Sequence, residues 1–491
     1  KILSLLFVAT LTAIVLLYLQ FKWEQRQNAI KYKDGRLVPG PPPIFPFGNA
    51  KELIRIGSLS KATAVWRKKY GNEFQFWFGN RSFLYLHDLD AMREVSSTTS
   101  PFLSRYQSWA HKEIWNNKGI VMSNDFPHHK IHRAAALTRL MRTSYLRRIA
   151  EITVQKMDRL LEILAAESNG KPFEVQADEI LQNVTLDIIG QAAFSMDLDS
   201  VERGGKYASY TEPFRDLLNG ITDVGRLPRP MKYIVYPKWK ALKDAKTKVD
   251  EFHKMVLVQR LEEIKKGTRR EDFLDYLVTD KDPRTNANFT EEEIIMDIAD
   301  LLAAGHETTS NTLSFALNFL AWNLDVQKTL QEECDKFPSN LSYEDAGRLF
   351  YTQGVIKETL RLQPTVEGFS RQTETNEVYK NFVIPARSNI FFCMMEFGHD
   401  PNYFPDPEKF DPARWSKSDD DSNQNEAWFP FGVGARVCIG NRMAMMEGKI
   451  LLCKLMQKYS VRRLTDEPMQ IENAITSRPK GGLKLQFIPR Q

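Results

Sequence analysis

The chain has 491 residues, enough for one large domain or two or three ordinary ones. At 42% hydrophobic and 26% charged it reads as globular, which excludes a disordered or fibrous protein. A formal net charge of +5 is too mild an excess to suggest nucleic-acid binding, and none is expected. The cysteines, Cys334, Cys393, Cys438 and Cys453, are too few for a disulfide framework and form no C-x-x-C pair, so a reducing compartment is expected.

The first element runs from Ile2 to Phe21 without a charge. About 20 apolar residues span a hydrocarbon core of roughly 30 Å, so a transmembrane helix is predicted. A cleaved signal peptide is the competing reading; the stretch is long for one and no small-x-small cleavage site follows. Lys22, Arg26, Lys31, Lys33 and Arg36 follow instead and hold the downstream chain on the cytoplasmic side. On that topology the sequons at Asn80, Asn183, Asn288 and Asn340 never meet the glycosylation machinery. Next comes "PGPPPIFPFGN", Pro39 to Asn49, which favours a stiff extended spacer. The expected division is a transmembrane signal-anchor at 1–21, a basic and proline-rich hinge at 22–49 and one large domain at 50–491.

Beyond residue 50 the period is mostly helical: Leu146 to Ala166, Ile180 to Met196, Trp239 to Lys266, Glu291 to Trp322 and Met443 to Tyr459. Short strand-like pieces lie at Glu73 to Phe78, Phe83 to Leu86, Val378 to Ile384 and Gly482 to Phe487. The fold class is therefore mainly α with small β-sheets, a single large helical domain behind the N-terminal helix. No G-x-G-x-x-G follows a strand, so no built-in nicotinamide or flavin domain is expected. "HHKIH" sets His128 and His132 one helical turn apart, a spacing that would allow a surface metal site, but with no third ligand evident none is expected. Arg226 to Lys240 interleaves basic and aromatic residues; it reads as an ordinary interhelical loop or as a second membrane contact with Trp239 at headgroup level.

The helix from Glu291 to Trp322 opens with Thr290 and Glu293 in capping-box spacing. Gly305 inside it costs about 1 kcal/mol against alanine, which tight helix packing alone would explain. "FPFGVGARVCIGNRMA", Phe429 to Ala444, sets one thiol in a glycine loop just before a helix expected to start near Ile439. The helix N-terminus and Arg436 both favour a thiolate there, and a buried structural cysteine is the competitor.

Residues Phe431 to Gly440 match F-G-x-G-x-R-x-C-x-G, the haem-binding signature of cytochrome P-450, and the chain resembles that family from the anchor to the C-terminus. The resemblance implies the cytochrome P-450 fold and haem b, with Cys438 as axial iron ligand and Phe431 and Gly432 in its loop. It implies that Arg133, Arg371 and Arg436 neutralise the haem propionates, with His129 where the family pattern W-x-x-x-R begins with tryptophan. "ETLR" and "FDPARW" resemble the elements whose Glu358, Arg361 and Arg414 form a buried structural triad. "AAGHETTSNT" resembles A-G-x-[DE]-T, in which Ala304 leaves room for oxygen, Thr308 donates to it and Glu307 relays protons.

The implied function is a monooxygenase of the endoplasmic reticulum membrane acting with O2 on a lipophilic substrate: a fatty acid, sterol or xenobiotic. NADPH is used indirectly, through NADPH–cytochrome P-450 reductase, and cytochrome b5 is allowed as a second donor. The reductase is expected on the face presenting Lys130, Arg442, Lys449 and Lys454. The pocket is expected from Phe102 to Val121, Ala303, Ala304, and Pro364 to Phe369, where Glu367 is the odd polar member. Two rivals remain at this point: a peroxide-rearranging isomerase or dehydratase on the same fold, and a non-catalytic haem sensor.

Overall fold

The computed structural model describes residues 2–115, 118–202, 210–225, 227, 229, 235–283, 285–415 and 422–490. The helices that position the site are α1 (Ile2–Asn28), α2 (Leu59–Tyr70), α3 (Phe126–Leu140), α4 (Thr143–Ser168), α5 (Ala177–Phe194), α6 (Tyr236–Lys265), α7 (Glu291–Trp322), α8 (Phe350–Leu362) and α9 (Asn441–Lys458). The strands are β1 (Lys31–Tyr32), β2 (Glu73–Phe78), β3 (Arg81–Leu86), β4 (Phe173–Gln176), β5 (Gly368–Gln372), β6 (Glu377–Tyr379), β7 (Phe382–Ile384), β8 (Asn389–Cys393), β9 (Tyr459–Arg463), β10 (Ile471–Asn473), β11 (Ser477–Pro479) and β12 (Lys484–Pro489). They form a four-stranded sheet in the order β2-β3-β8-β5, three-stranded sheets β1-β7-β6 and β4-β12-β9, and the pair β10-β11.

The long helix α7 runs through the core. Its capping box is complete: Glu293 N–H donates to Thr290 Oγ1 at 3.3 Å, and Thr290 N–H to Glu293 Oε2 at 2.8 Å. It lies close against α5, and Gly305 is the reason it can: a Cβ there would stand 2.6 Å from the Ile189 side chain. Thr185 of α5 also donates to the His306 carbonyl, at 3.1 Å. The glycine that weakens the helix locally thus permits a close interhelical contact.

The four-stranded sheet is held on one face by aromatic pairs directly opposite one another, Phe74 on Tyr85 at 4.4 Å and Phe76 on Phe83 at 5.0 Å between ring centroids. The run Val378 to Ile384 is a hairpin, not one strand; it reverses beside Lys380, whose φ of 50° is left-handed.

Phe7–Asn28 within α1 is long and apolar enough to cross a membrane, with 6% of its most apolar window buried, and fits a membrane anchor. The proline-rich segment behind it is not a free spacer. Gln75 N–H donates to Pro39 O at 2.8 Å, Asn49 N–H to Trp77 O at 2.7 Å, and Trp77 N–H to Asn49 Oδ1 at 2.8 Å. A Cβ on Gly40 would lie 1.8 Å from Gln75 O, so this approach to β2 requires glycine. β1 meanwhile pairs with β7.

Of the stretch Arg226 to Lys240, residues 226, 228 and 230–234 lie outside the described residues. Trp239, expected at headgroup level on one reading, is buried with its ring 5.3 Å from that of Trp109.

Candidate functional site

The cysteine loop is a series of tight reversals. Gly432 N–H donates to Phe429 O at 2.8 Å, and Cys438 N–H to Phe431 O at 2.9 Å. Gly432 and Gly434 take φ of 70° and 68°, a region that disfavours side chains. Gly434 also passes so near Ser96 that a Cβ would sit 1.9 Å from its carbonyl oxygen. Helix α9 starts at Asn441 with Gly440 as N-cap, later than the sequence suggests. Phe431 packs edge-on to Trp428, with centroids 6.1 Å apart.

Cys438 is exposed, whereas Cys334, Cys393 and Cys453 are buried. The protein massed around its sulfur pushes the thiol pKa up, opposed by the Gly440 amide and then by Arg133 and Arg105. Without a further positive partner this group is a thiol; a bound metal ion would favour the thiolate.

Basic groups from three parts of the chain gather beside it. Arg436 donates through Nε to Leu103 O at 3.2 Å and through Nη2 to Ser123 O at 2.7 Å, while Arg133 Nη1 donates to Val437 O at 2.7 Å. Arg371 gives Nη1 to Ser370 O at 3.0 Å, and its guanidinium lies 4.5 Å from the Phe369 ring centroid. Arg105, which the sequence did not single out, joins them. Arg436 Nη1, Arg371 Nε, Arg105 Nε and His129 Nδ1 are all buried without a hydrogen-bond partner.

Burial lowers the pKa of each of these groups, and they repel one another. Arg371 falls well below its usual range through burial and the charges of Arg105 and Arg436; Arg436 falls to about 9 through burial, Arg105 and Arg133. His129 falls to about 2 through burial, then Arg436, Arg105 and Arg133, and is neutral. Buried cations with idle donors call for an anionic guest. The two carboxylates of haem supply that charge, so the residues present fit the group.

On α7, Ala304 is exposed in the middle of a largely buried helix, and Thr308 Oγ1 donates back to its carbonyl at 2.7 Å. Glu307 is buried and turned toward β11: Oε1 accepts from Thr476 Oγ1 at 2.8 Å and lies 3.5 Å from Arg478 Nη1. Burial raises its pKa, against the pull of Thr476 and Arg478.

Glu358, Arg361 and Arg414 meet in the core. Arg361 Nε and Nη2 reach the two oxygens of Glu358 at 2.9 and 2.8 Å, and Arg414 Nε reaches Oε1 at 2.9 Å. The remaining Arg361 donors go to the carbonyls of Gly398, Pro407 and Lys409. Trp415 Nε1, unmarked by the sequence reading, adds a 2.9 Å bond to Glu358 Oε2.

Several expectations need correction. Phe102, expected at the pocket, is buried in the sheet-side core, edge-on to Tyr379. Glu367 Oε2 accepts from Ser60 N–H, at 3.4 Å, at the start of α2, so the carboxylate caps a helix. Lys449 and Lys454 are buried; Lys454 Nζ pairs with Asp158 at 2.7 Å and Lys449 Nζ donates to Gln353 at 3.3 Å. Lys130 and Arg442 are exposed. His128 and His132 are buried against α7 and are not a surface pair.

A family model described as Cytochrome P450 matches residues 38–487. Cytochrome P450 3A41 of Mus musculus is similar at 29% identity over 97% of this chain and 95% of its own length. Cytochrome P450 3A31 of Mesocricetus auratus is 29% identical over 92% of this chain and 91% of its own. Cytochrome P450 3A11 of Mus musculus is 28% identical over 97% and 95%.

Proposed function

Because the chain belongs to the cytochrome P450 family, matched across residues 38–487, it is a haem-dependent monooxygenase, and we propose that it inserts one atom of O2 into a lipophilic substrate. Cys438 would hold the haem iron through its sulfur, and Arg105, Arg133, Arg371, Arg436 and His129 would hold the propionates. When bound, the haem iron supplies the activation of dioxygen that side chains cannot perform. Ala304 keeps space open on α7, and Thr308 holds a hydroxyl proton at the edge of that space. Glu307 moves protons inward from solvent: its raised pKa lets it carry one, and Thr476 and Arg478 hold the carboxylate between transfers. Residues 1–21 anchor the protein in the endoplasmic reticulum membrane with the domain in the cytosol, and electrons come from NADPH through a membrane-bound reductase or cytochrome b5.

The observation that carries this reading is Cys438, the one exposed cysteine among the described residues, beside a set of buried donors without partners. The test is turnover with NADPH, reductase and isotopically labelled dioxygen across a panel of lipophilic compounds. Labelled product is expected, with Cys438→Ser abolishing both product and the thiolate carbon-monoxide spectrum. Turnover of hydroperoxides alone would instead make the protein a rearranging isomerase, and ligand-dependent spectra without any turnover a sensor.

A further inference from the structure

We propose that the protein carries a second metal site, for one divalent ion of the zinc class, formed by His128, His132 and Glu293 and supported by Asp297. The histidines sit on successive turns of α3, with ring centroids 4.0 Å apart, and Glu293 and Asp297 face them from successive turns of α7. One ligand atom from each of His128, His132 and Glu293 lies within 4.8 Å of the other two.

The supporting bonds make this more than a cluster. His132 Nδ1 pairs with Asp297 Oδ2, both side chains wholly buried, while His132 Nε2 is buried without any hydrogen-bond partner. His128 Nε2 is bonded to Lys118 O at 3.0 Å, leaving Nδ1, which stands 3.6 Å from Glu293 Oε1. Glu293 in turn commits Oε2 to the capping box and keeps Oε1 available. Each imidazole thus has one nitrogen fixed by a carboxylate or a carbonyl and the other free, which is the arrangement that orients histidine toward a metal.

Two imidazoles and a carboxylate suit zinc and its neighbours far better than magnesium or calcium. Zinc bonds of about 2.1 Å place ligand atoms about 3.4 Å apart, so on loading the three atoms, all within 4.8 Å of one another, draw closer together. Glu293 is 23% exposed, which gives the ion an entry path and leaves a fourth position for water. The ion would clamp α3, which carries His129 and Arg133, to α7, which carries Ala304 and Thr308.

The test uses the full haem-loaded protein, stripped with chelator and dialysed against zinc. One zinc per haem is expected, with a zinc-edge absorption spectrum showing two imidazoles. Glu293→Gln and His128→Gln should each weaken zinc at least tenfold while haem content and the carbon-monoxide spectrum stay unchanged. His399→Gln, at a histidine paired with Glu408 elsewhere, should leave zinc binding unaltered. No stoichiometric zinc in the parent protein, equal affinity for magnesium, or undiminished zinc in both variants would overturn the proposal.

Discussion

Arg371 is 3% exposed and Arg436 equally so, yet each has an idle donor. A charge-assisted hydrogen bond contributes about 1.5–3 kcal/mol, so Arg371→Ala and Arg105→Ala should each speed haem loss by about 10–100-fold, measured by transfer to a haem-scavenging protein. Arg105 was not legible because nothing in its loop sequence marks it; its role comes from Arg436, Arg371 and Cys438 converging from remote parts of the chain. Glu447 is a different residue-scale case: it is 2% exposed, Oε1 has no partner, and burial holds its pKa well above the carboxylate range. The folded state therefore keeps a proton that the unfolded chain releases above about pH 4.3, and stability falls as pH rises from there toward the folded pKa. Glu447→Gln removes that slope. Thermal melts should show a Tm gain of about 1–3 °C at pH 8 that shrinks toward pH 5.

At the scale of an element, α8 is fastened from within. Its Arg361 has every donor occupied, and Glu358 accepts from Arg361, Arg414, Trp415 and the Asp411 amide. Such an array contributes little beyond a well-packed apolar core, but breaking it strands buried charge. Glu358→Gln should cost about 3–5 kcal/mol in chemical denaturation and reduce haem incorporation on expression. The bounds of α7 agree with the sequence reading at both ends because a capping box and a long apolar period agree locally. The bonding of residues 39–49 to β2 was not legible: prolines announce stiffness but not the strand they lie against. The meaning of Gly305 was open in the same way, since only its neighbour Ile189 shows what the missing side chain makes room for.

For the molecule as a whole, the fold class was legible from helical periodicity, whereas the charged face was legible only in part. Sequence shows that α9 bears lysines but not that its sides are covered, which puts Lys449 and Lys454 inside and leaves Arg442 outside, exposed as Lys130 of α3 is. Lys130→Glu with Arg442→Glu should slow electron delivery by reductase by about tenfold at low ionic strength, less at high salt, with haem content unchanged in stopped-flow reduction. Reversal at Lys449 or Lys454 should instead lower stability, because each meets a partner in the interior.

The last turns of α1 belong to the domain as much as to the anchor. Phe21 is buried, 5.3 Å from Phe45, and Asn28 Nδ2 donates to Asn80 O at 3.0 Å. Where these contacts hold, span and body turn together as one lever. In a membrane-anchored protein, the tilt that a thicker or thinner bilayer imposes on the span is then passed on to the domain, so lipid composition sets the domain's inclination to the membrane.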